Sequence, residues 1–107
     1  MDAVQRDLFR TYQSLLEARF AEFDRENPSV WTHFVRFTEE AIATGRTHYS
    51  ARDIIHRIRW HLTIETKSDD GFKINNNHSP YYARKLIRLR PELAGFFELR
   101  RTESDDG

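Results

Sequence analysis

The sequence contains no cysteine, and this absence excludes several kinds of site. A chain without thiols has no disulfide framework, iron–sulfur cluster, cysteine-based zinc finger or cysteine nucleophile. Small secreted domains usually need disulfides, so we expect a reducing, cytoplasmic compartment. No apolar run approaches the roughly 20 residues that span a bilayer, and the first residues mix acids with bases, unlike a signal peptide. We therefore expect no membrane association.

Catalytic motifs are also missing from the sequence. Glycine is scarce, at 4 residues, and neither a glycine-rich phosphate loop nor a GxSxG motif occurs. No two of the 5 histidines stand four residues apart, as they would in HExxH. Glu65-Thr66-Lys67 matches the E-x-K element of some nucleases, with Asp53 as a second carboxylate, but Glu65 continues a helical pattern rather than a strand. We expect a non-catalytic protein with no metal and no cofactor.

The charges balance overall, with 17 basic and 17 acidic side chains, but they are unevenly distributed. Residues 1–44 carry 5 basic and 8 acidic side chains, whereas residues 45–101 carry 12 basic and 6 acidic ones. Residues 102–107 add three acids. A basic segment therefore lies between two acidic ones, which indicates either an acidic partner or ordinary surface variation.

Apolar residues at helical spacing, separated by capping residues and prolines, predict a mainly α fold. The four predicted helices cover 4–24, a segment that starts at Pro28 and ends before Gly45, a segment opened by Ser50, and about Pro80 to Leu89. We expect one helical domain over 1–101. The acidic residues 102–107 are expected to form a disordered tail.

Two short segments, 72–74 and 96–100, are candidates for a small two-stranded β ribbon. Such a ribbon beside the helices would give a winged-helix-like variant of the fold. On the helices, Trp60 is predicted to pack inside the domain, and Leu89 to face the core together with Tyr82.

The second half of the chain resembles a family of small proteins from bacterial and phage genomes. The resemblance is carried by the runs YSARDIIHRIRWHLTIET, GFKINNNHSPYYARKL and PELAGFFELRR, with FKINNN and YAR as the most distinctive elements. It extends to the preceding run NPSVWTHFVRFTEEAIATGRTHYS and covers roughly residues 23–101. The family is uncharacterised, so the resemblance implies a bacterial or phage origin and assigns no role to any residue.

The fourth predicted helix carries the pattern most suggestive of function. Tyr81, Arg84, Lys85 and Arg88 recur at helical spacing and are expected to form one exposed stripe near a helix N-terminus. Cations and backbone N–H groups of this kind bind phosphates, and arginine reads guanine edges. We therefore predict nucleic-acid binding, most simply to DNA, with Arg52, Arg57, Arg100 and Arg101 extending the surface. A solvated basic face without a ligand is the alternative.

A protein-interaction module, such as a phage-encoded modulator of a host protein, is the competing prediction. Its basic surface would meet an acidic partner, or its acidic first helix would be the docking face. If DNA is the ligand, a homodimer is expected instead, with the first helix supplying its interface through Phe9, Leu16, Phe20 and Phe23. Nucleic-acid binding predicts a basic surface, and a protein partner predicts an exposed apolar patch.

Overall fold

The computed structural model describes residues 2–68 and 73–97. These residues form four α-helices: α1 (Ala3–Glu26), α2 (Pro28–Ala43), α3 (Ala51–Trp60) and α4 (Ser79–Leu89). A π-helical turn, His61–Glu65, extends α3, and the 3-10 turns Asn76–His78 and Pro91–Leu93 flank α4. The prediction of a mainly α fold with four main helices is confirmed.

The helix ends follow local capping chemistry. Asp2 and Gln5 form a capping box at the start of α1, where the Gln5 backbone N–H donates to Asp2 Oδ1 over 2.8 Å. Ser50 caps α3 by accepting a bond from the Asp53 backbone N–H. Gly45 follows α2 with a φ of 90°, a left-handed conformation that glycine adopts without strain. These caps place three of the helix boundaries within about two residues of their predicted positions.

The core is built around α3, which packs against both α2 and α4. Three of its buried side chains, Ile54, Ile55 and Ile58, are at most 1% exposed. On α4, the fully buried Tyr82 ring lies 5.4 Å from the Phe34 ring and 4.7 Å from the Phe20 ring, between centroids. The C-terminal half of α1 is thereby anchored to the same aromatic cluster as α2 and α4.

The predicted β ribbon does not form in the described residues. Lys73 and Ile74 are not in a strand, and the Ile74 carbonyl accepts a hydrogen bond from the Arg59 side chain instead of from a second strand. Phe97 forms an isolated parallel bridge with Tyr49, whose N–H donates to the Phe96 carbonyl over 2.9 Å. The remaining ribbon residues, at 72 and 98–100, and the predicted tail, 102–107, lie outside the described part of the chain.

Several apolar side chains face solvent, contrary to their predicted packing. Trp60 is 59% exposed and Leu89 is 66% exposed, so neither belongs to the core. Leu89 is the last residue of α4, and Trp60 is the last residue of α3. Among the described residues, no helix is both long and apolar enough to cross a membrane.

Candidate nucleic-acid interface

The predicted stripe on α4 is divided between packing and solvent. The Tyr81 ring stacks on the Phe20 ring of α1, with centroids 5.6 Å apart. Lys85 Nζ lies 2.6 Å from Asp24 Oδ2 and 4.3 Å from the centroid of the Trp31 ring. Two of the four stripe residues therefore hold α4 against α1 and α2, and they reach a phosphate only by leaving these contacts.

The other two stripe residues are arginines. The Arg84 guanidinium lies 5.5 Å from the centroid of the Tyr81 ring, in a cation–π contact. Burial raises the pKa of the Tyr81 phenol, and the nearby Glu17 carboxylate raises it further, so the phenol is neutral at pH 7. Arg88 is exposed and forms no ion pair with any described residue. Of the four stripe residues, Arg88 is thus the exposed one, whereas Arg84, like Tyr81 and Lys85, is half-buried.

The predicted flanking arginines differ in their surroundings. Arg57 pairs with Glu65 over 2.5 Å, and its guanidinium lies 4.3 Å from the centroid of the Phe37 ring. Arg52 is exposed near the start of α3. Arg100 and Arg101 lie outside the described residues. Their roles in binding, like those of the α4 stripe, stay predictions.

An exposed aromatic side chain on α3 is the feature that the sequence interpretation missed. Arg52, His56 and Trp60 follow one another at intervals of four residues, which places them on one side of a helix. All three are exposed, and the Trp60 side chain is 59% exposed. The sequence contains this four-residue spacing. Because Trp60 was predicted to pack inside the domain, it was not grouped with Arg52 and His56 as part of an exposed surface. We call the surface formed by Arg52, His56 and Trp60 the α3 face.

The surroundings of the α3 face are basic. Arg59 lies within electrostatic range of Arg52, and burial, followed by this repulsion, lowers the pKa of the Arg59 guanidinium. After Trp60 the helix widens into the π-helical turn, in which the Thr66 N–H donates to the His61 carbonyl over 2.9 Å. Ile64, four residues after Trp60, is 52% exposed and prolongs the apolar end of the surface.

Cations outnumber acids among the described residues of this half of the chain. The described residues between 45 and 97 include ten lysines and arginines but only three acids. Glu65 pairs with Arg57, and Glu92 pairs with Arg90, which also contacts Glu39. Asp53, the third acid, takes part in neither of these ion pairs. It lies in the first turn of α3, where a carboxylate interacts favourably with the helix dipole.

Concave and metal-binding features are modest. An open depression lies at the turn between α2 and α3, lined by residues 44–48. Its side chains come from a single turn of the chain rather than converging from several elements, which is unlike an enzyme pocket. No group of three or more histidine or acidic side chains is placed to hold a metal ion within 2–68 and 73–97.

Comparison with known proteins adds no functional assignment. No protein-family model matches the chain, and neither a curated protein nor a solved structure is significantly similar to it.

Proposed function

We propose that this chain binds nucleic acid, and that it favours single strands, which it holds against the α3 face. The proposal rests on the exposed indole of Trp60 standing in line with Arg52 and His56 on one helix face. Proteins that bind single strands combine aromatic side chains, on which bases stack, with cations that track the phosphates. A tryptophan exposed on a basic helix supplies both kinds of contact.

The dimensions of the α3 face fit this role. Arg52 and Trp60 are separated by eight residues, about 12 Å along a helix. Stacked nucleotides rise by roughly 3.4 Å each, so the face spans about three of them. A base on Trp60 would then leave its neighbouring phosphates within reach of Arg52, with His56 between them.

A duplex read by α4 is the less favoured form of the same function. Major-groove recognition needs several side chains free to reach base edges and phosphates. Here Lys85 forms an ion pair with Asp24, and the Tyr81 ring stacks on the Phe20 ring. Arg84 and Arg88 would have to supply the contacts alone.

The test is fluorescence anisotropy with a labelled single strand of about 12 nucleotides and a duplex of the same sequence. The full chain is titrated at two salt concentrations that differ fourfold. We expect tighter binding to the single strand and a strong loss of affinity at the higher salt. Trp60→Ala should weaken single-strand binding by about tenfold, because stacking contributes roughly 1–3 kcal/mol per base.

Matched variants separate the α3 face from general effects. Leu89→Ala removes another exposed apolar side chain and should leave binding unchanged. Arg52→Gln should lower the salt dependence, whereas Arg36→Gln, on the exposed side of α2, should not. If the Arg84→Gln/Arg88→Gln variant loses binding while Trp60→Ala retains it, the interface is on α4. No binding of either nucleic acid at tens of micromolar would refute the function.

A protein partner is the second candidate function, and one observation favours it. The first half of α1 exposes apolar side chains, which is the surface that a protein partner requires and a nucleic acid does not. A host protein that covers this helix would be captured by the wild-type chain and lost with the α1 variants described below.

A further inference from the structure

The exposed side of α1 carries a continuous row of apolar side chains. Val4, Leu8, Tyr12 and Leu15 are 68%, 65%, 53% and 46% exposed, and their spacing of three or four residues places them on one side of the helix. Of the predicted dimer residues, Phe20 is buried, Phe23 packs against the core beside His78, and Phe9 and Leu16 are half-buried. We call the exposed row, Val4, Leu8, Tyr12 and Leu15, the α1 stripe.

We infer that the α1 stripe is where a second copy of this chain docks, with the two α1 helices antiparallel about a twofold axis. This association is independent of nucleic-acid binding, because the stripe and the α3 face share no residue. In a twofold pair the same surface meets itself, so each stripe covers the other.

The size of the stripe is appropriate for self-association. Together the four side chains expose roughly 400 Å², which is within the size range of the largest apolar patch on a typical monomer, often a functional one. Complete burial of both stripes would remove roughly 800 Å² of surface from water, and the polar residues at the margin would bring the total toward the roughly 1,000 Å² of a specific interface. Residues 2–15 carry two acids and two bases, so two copies meet without net repulsion.

The charges beyond the stripe determine the direction of the pair. On the same side of α1, Leu15 is followed by Arg19, Glu22 and Glu26, at helical spacing toward the C-terminus. A parallel pair would place each of these charges opposite its own copy, and like charges in such positions are destabilising. An antiparallel pair carries them past the N-terminal end of the partner helix. It also separates the two domains, each joined to the C-terminal half of its own α1.

Sedimentation equilibrium of the full chain from about 5 to 200 µM tests the association. We expect a concentration-dependent dimer, and at least a tenfold weaker one for Leu8→Gln/Leu15→Gln. The control Arg10→Gln/Ser14→Gln introduces the same residues on the other side of the helix and should dimerise like the wild type. Far-ultraviolet circular dichroism checks that each variant is folded. A monomer throughout this range, or a dimer that the stripe variant leaves intact, overturns the inference.

Cross-linking tests the direction of the helices, using the fact that the chain has no cysteine of its own. Val4→Cys and Leu15→Cys chains are prepared separately, mixed and oxidised. The antiparallel pair predicts that the mixed disulfide, from position 4 to position 15 of the other copy, dominates over both same-position products. Same-position disulfides in excess would show a parallel pair and overturn the antiparallel arrangement. These assays contain no nucleic acid, so their failure and that of the proposed function are distinguishable.

Discussion

Lys85 of α4 and Asp24 of α1 form an ion pair, with Nζ 2.6 Å from Oδ2, although 61 residues separate them in the sequence. Neither side chain is largely exposed, at 29% and 17%, and the ammonium also lies over the Trp31 ring of α2. One lysine thus joins three helices. A cation at helical spacing was predicted to contact phosphate, and its position shows that it also has a structural role.

Replacing Lys85 should therefore lower stability more than replacing a neighbouring exposed cation. We expect Lys85→Ala to reduce the free energy of unfolding by about 1–2 kcal/mol, since it removes a partly buried ion pair and a cation–π contact. Arg88→Ala, on the same helix, should change it by less than about 0.5 kcal/mol. Urea denaturation followed by tryptophan fluorescence measures both. Equal effects of the two substitutions would contradict a structural role for Lys85.

The two glycines in the described residues should respond oppositely to alanine. Gly45 has a φ of 90°, which strains any residue with a Cβ atom, so Gly45→Ala should cost about 1 kcal/mol. Gly95 has no positive φ, and a Cβ atom there would meet nothing within 4 Å. Gly95→Ala should be neutral or stabilising by up to about 1 kcal/mol, because it restricts the unfolded chain. Thermal denaturation of both variants tests the pair; a lower melting temperature for Gly95→Ala would contradict this assignment.

Tyr82 offers a substitution that should stabilise the protein. Its ring is fully buried, and its hydroxyl has no hydrogen-bond partner among the described residues. Burial also raises the pKa of this phenol, so the group stays neutral. Tyr82→Phe keeps the aromatic packing and removes an unpaired polar group, which should raise the free energy of unfolding by about 1 kcal/mol. Calorimetry measures the change in stability. A marked loss of stability in Tyr82→Phe would show that the hydroxyl is satisfied in solution.

The helices could be predicted because their signals are local. Asp53 follows Ser50 by three residues, Pro28 follows Asn27, and Gly45 ends an apolar run, and each of these patterns acts within one helical turn. The pairing of the two ribbon segments could not be predicted in the same way, because the tertiary structure determines which segment each of them pairs with. Phe97 pairs with Tyr49, and the Ile74 carbonyl bonds to Arg59, so distant residues occupy the groups that a ribbon would have used.

The candidate nucleic-acid-binding residues were also only partly predictable from the sequence, for the same reason. Helical spacing predicts that Tyr81, Arg84 and Lys85 share one side of α4, but it does not reveal that Phe20 and Asp24 of α1 lie against two of them. Conversely, the sequence predicts a buried Trp60 because Trp60 and Ile64 extend a second apolar stripe on the third helix, and a helix that is apolar on two sides is usually central in its domain. Which side of a helix is covered depends on how neighbouring helices cross it, and that information is not contained in the periodicity of one segment.

Acidification should destabilise the protein below about pH 6.5, through two histidines that are held neutral. Burial lowers the pKa of His33, and the nearby His61 and Arg36 lower it further; burial also lowers the pKa of His78, whose ring stacks on Phe23. Because both values lie below the 6.5 of the unfolded chain, the unfolded state binds protons first as the pH falls. The contribution to stability is thus complete above pH 6.5 and is lost as the pH falls from there through the folded-state values.

Melting temperatures measured between pH 8 and pH 5 test this sign, in a range above the ordinary titration of carboxylates. We expect a plateau above about pH 7 and a steady fall below about pH 6.5. His33→Gln and His78→Gln should each make the fall shallower, whatever they do to stability at pH 8, since each removes one proton-binding site. The same substitution at the exposed His56 serves as the matched control for the loss of an imidazole. If the protein became more stable between pH 7 and pH 5.5, the two histidines would have to be charged in the folded state, against the burial of both side chains and the positive charges beside His33.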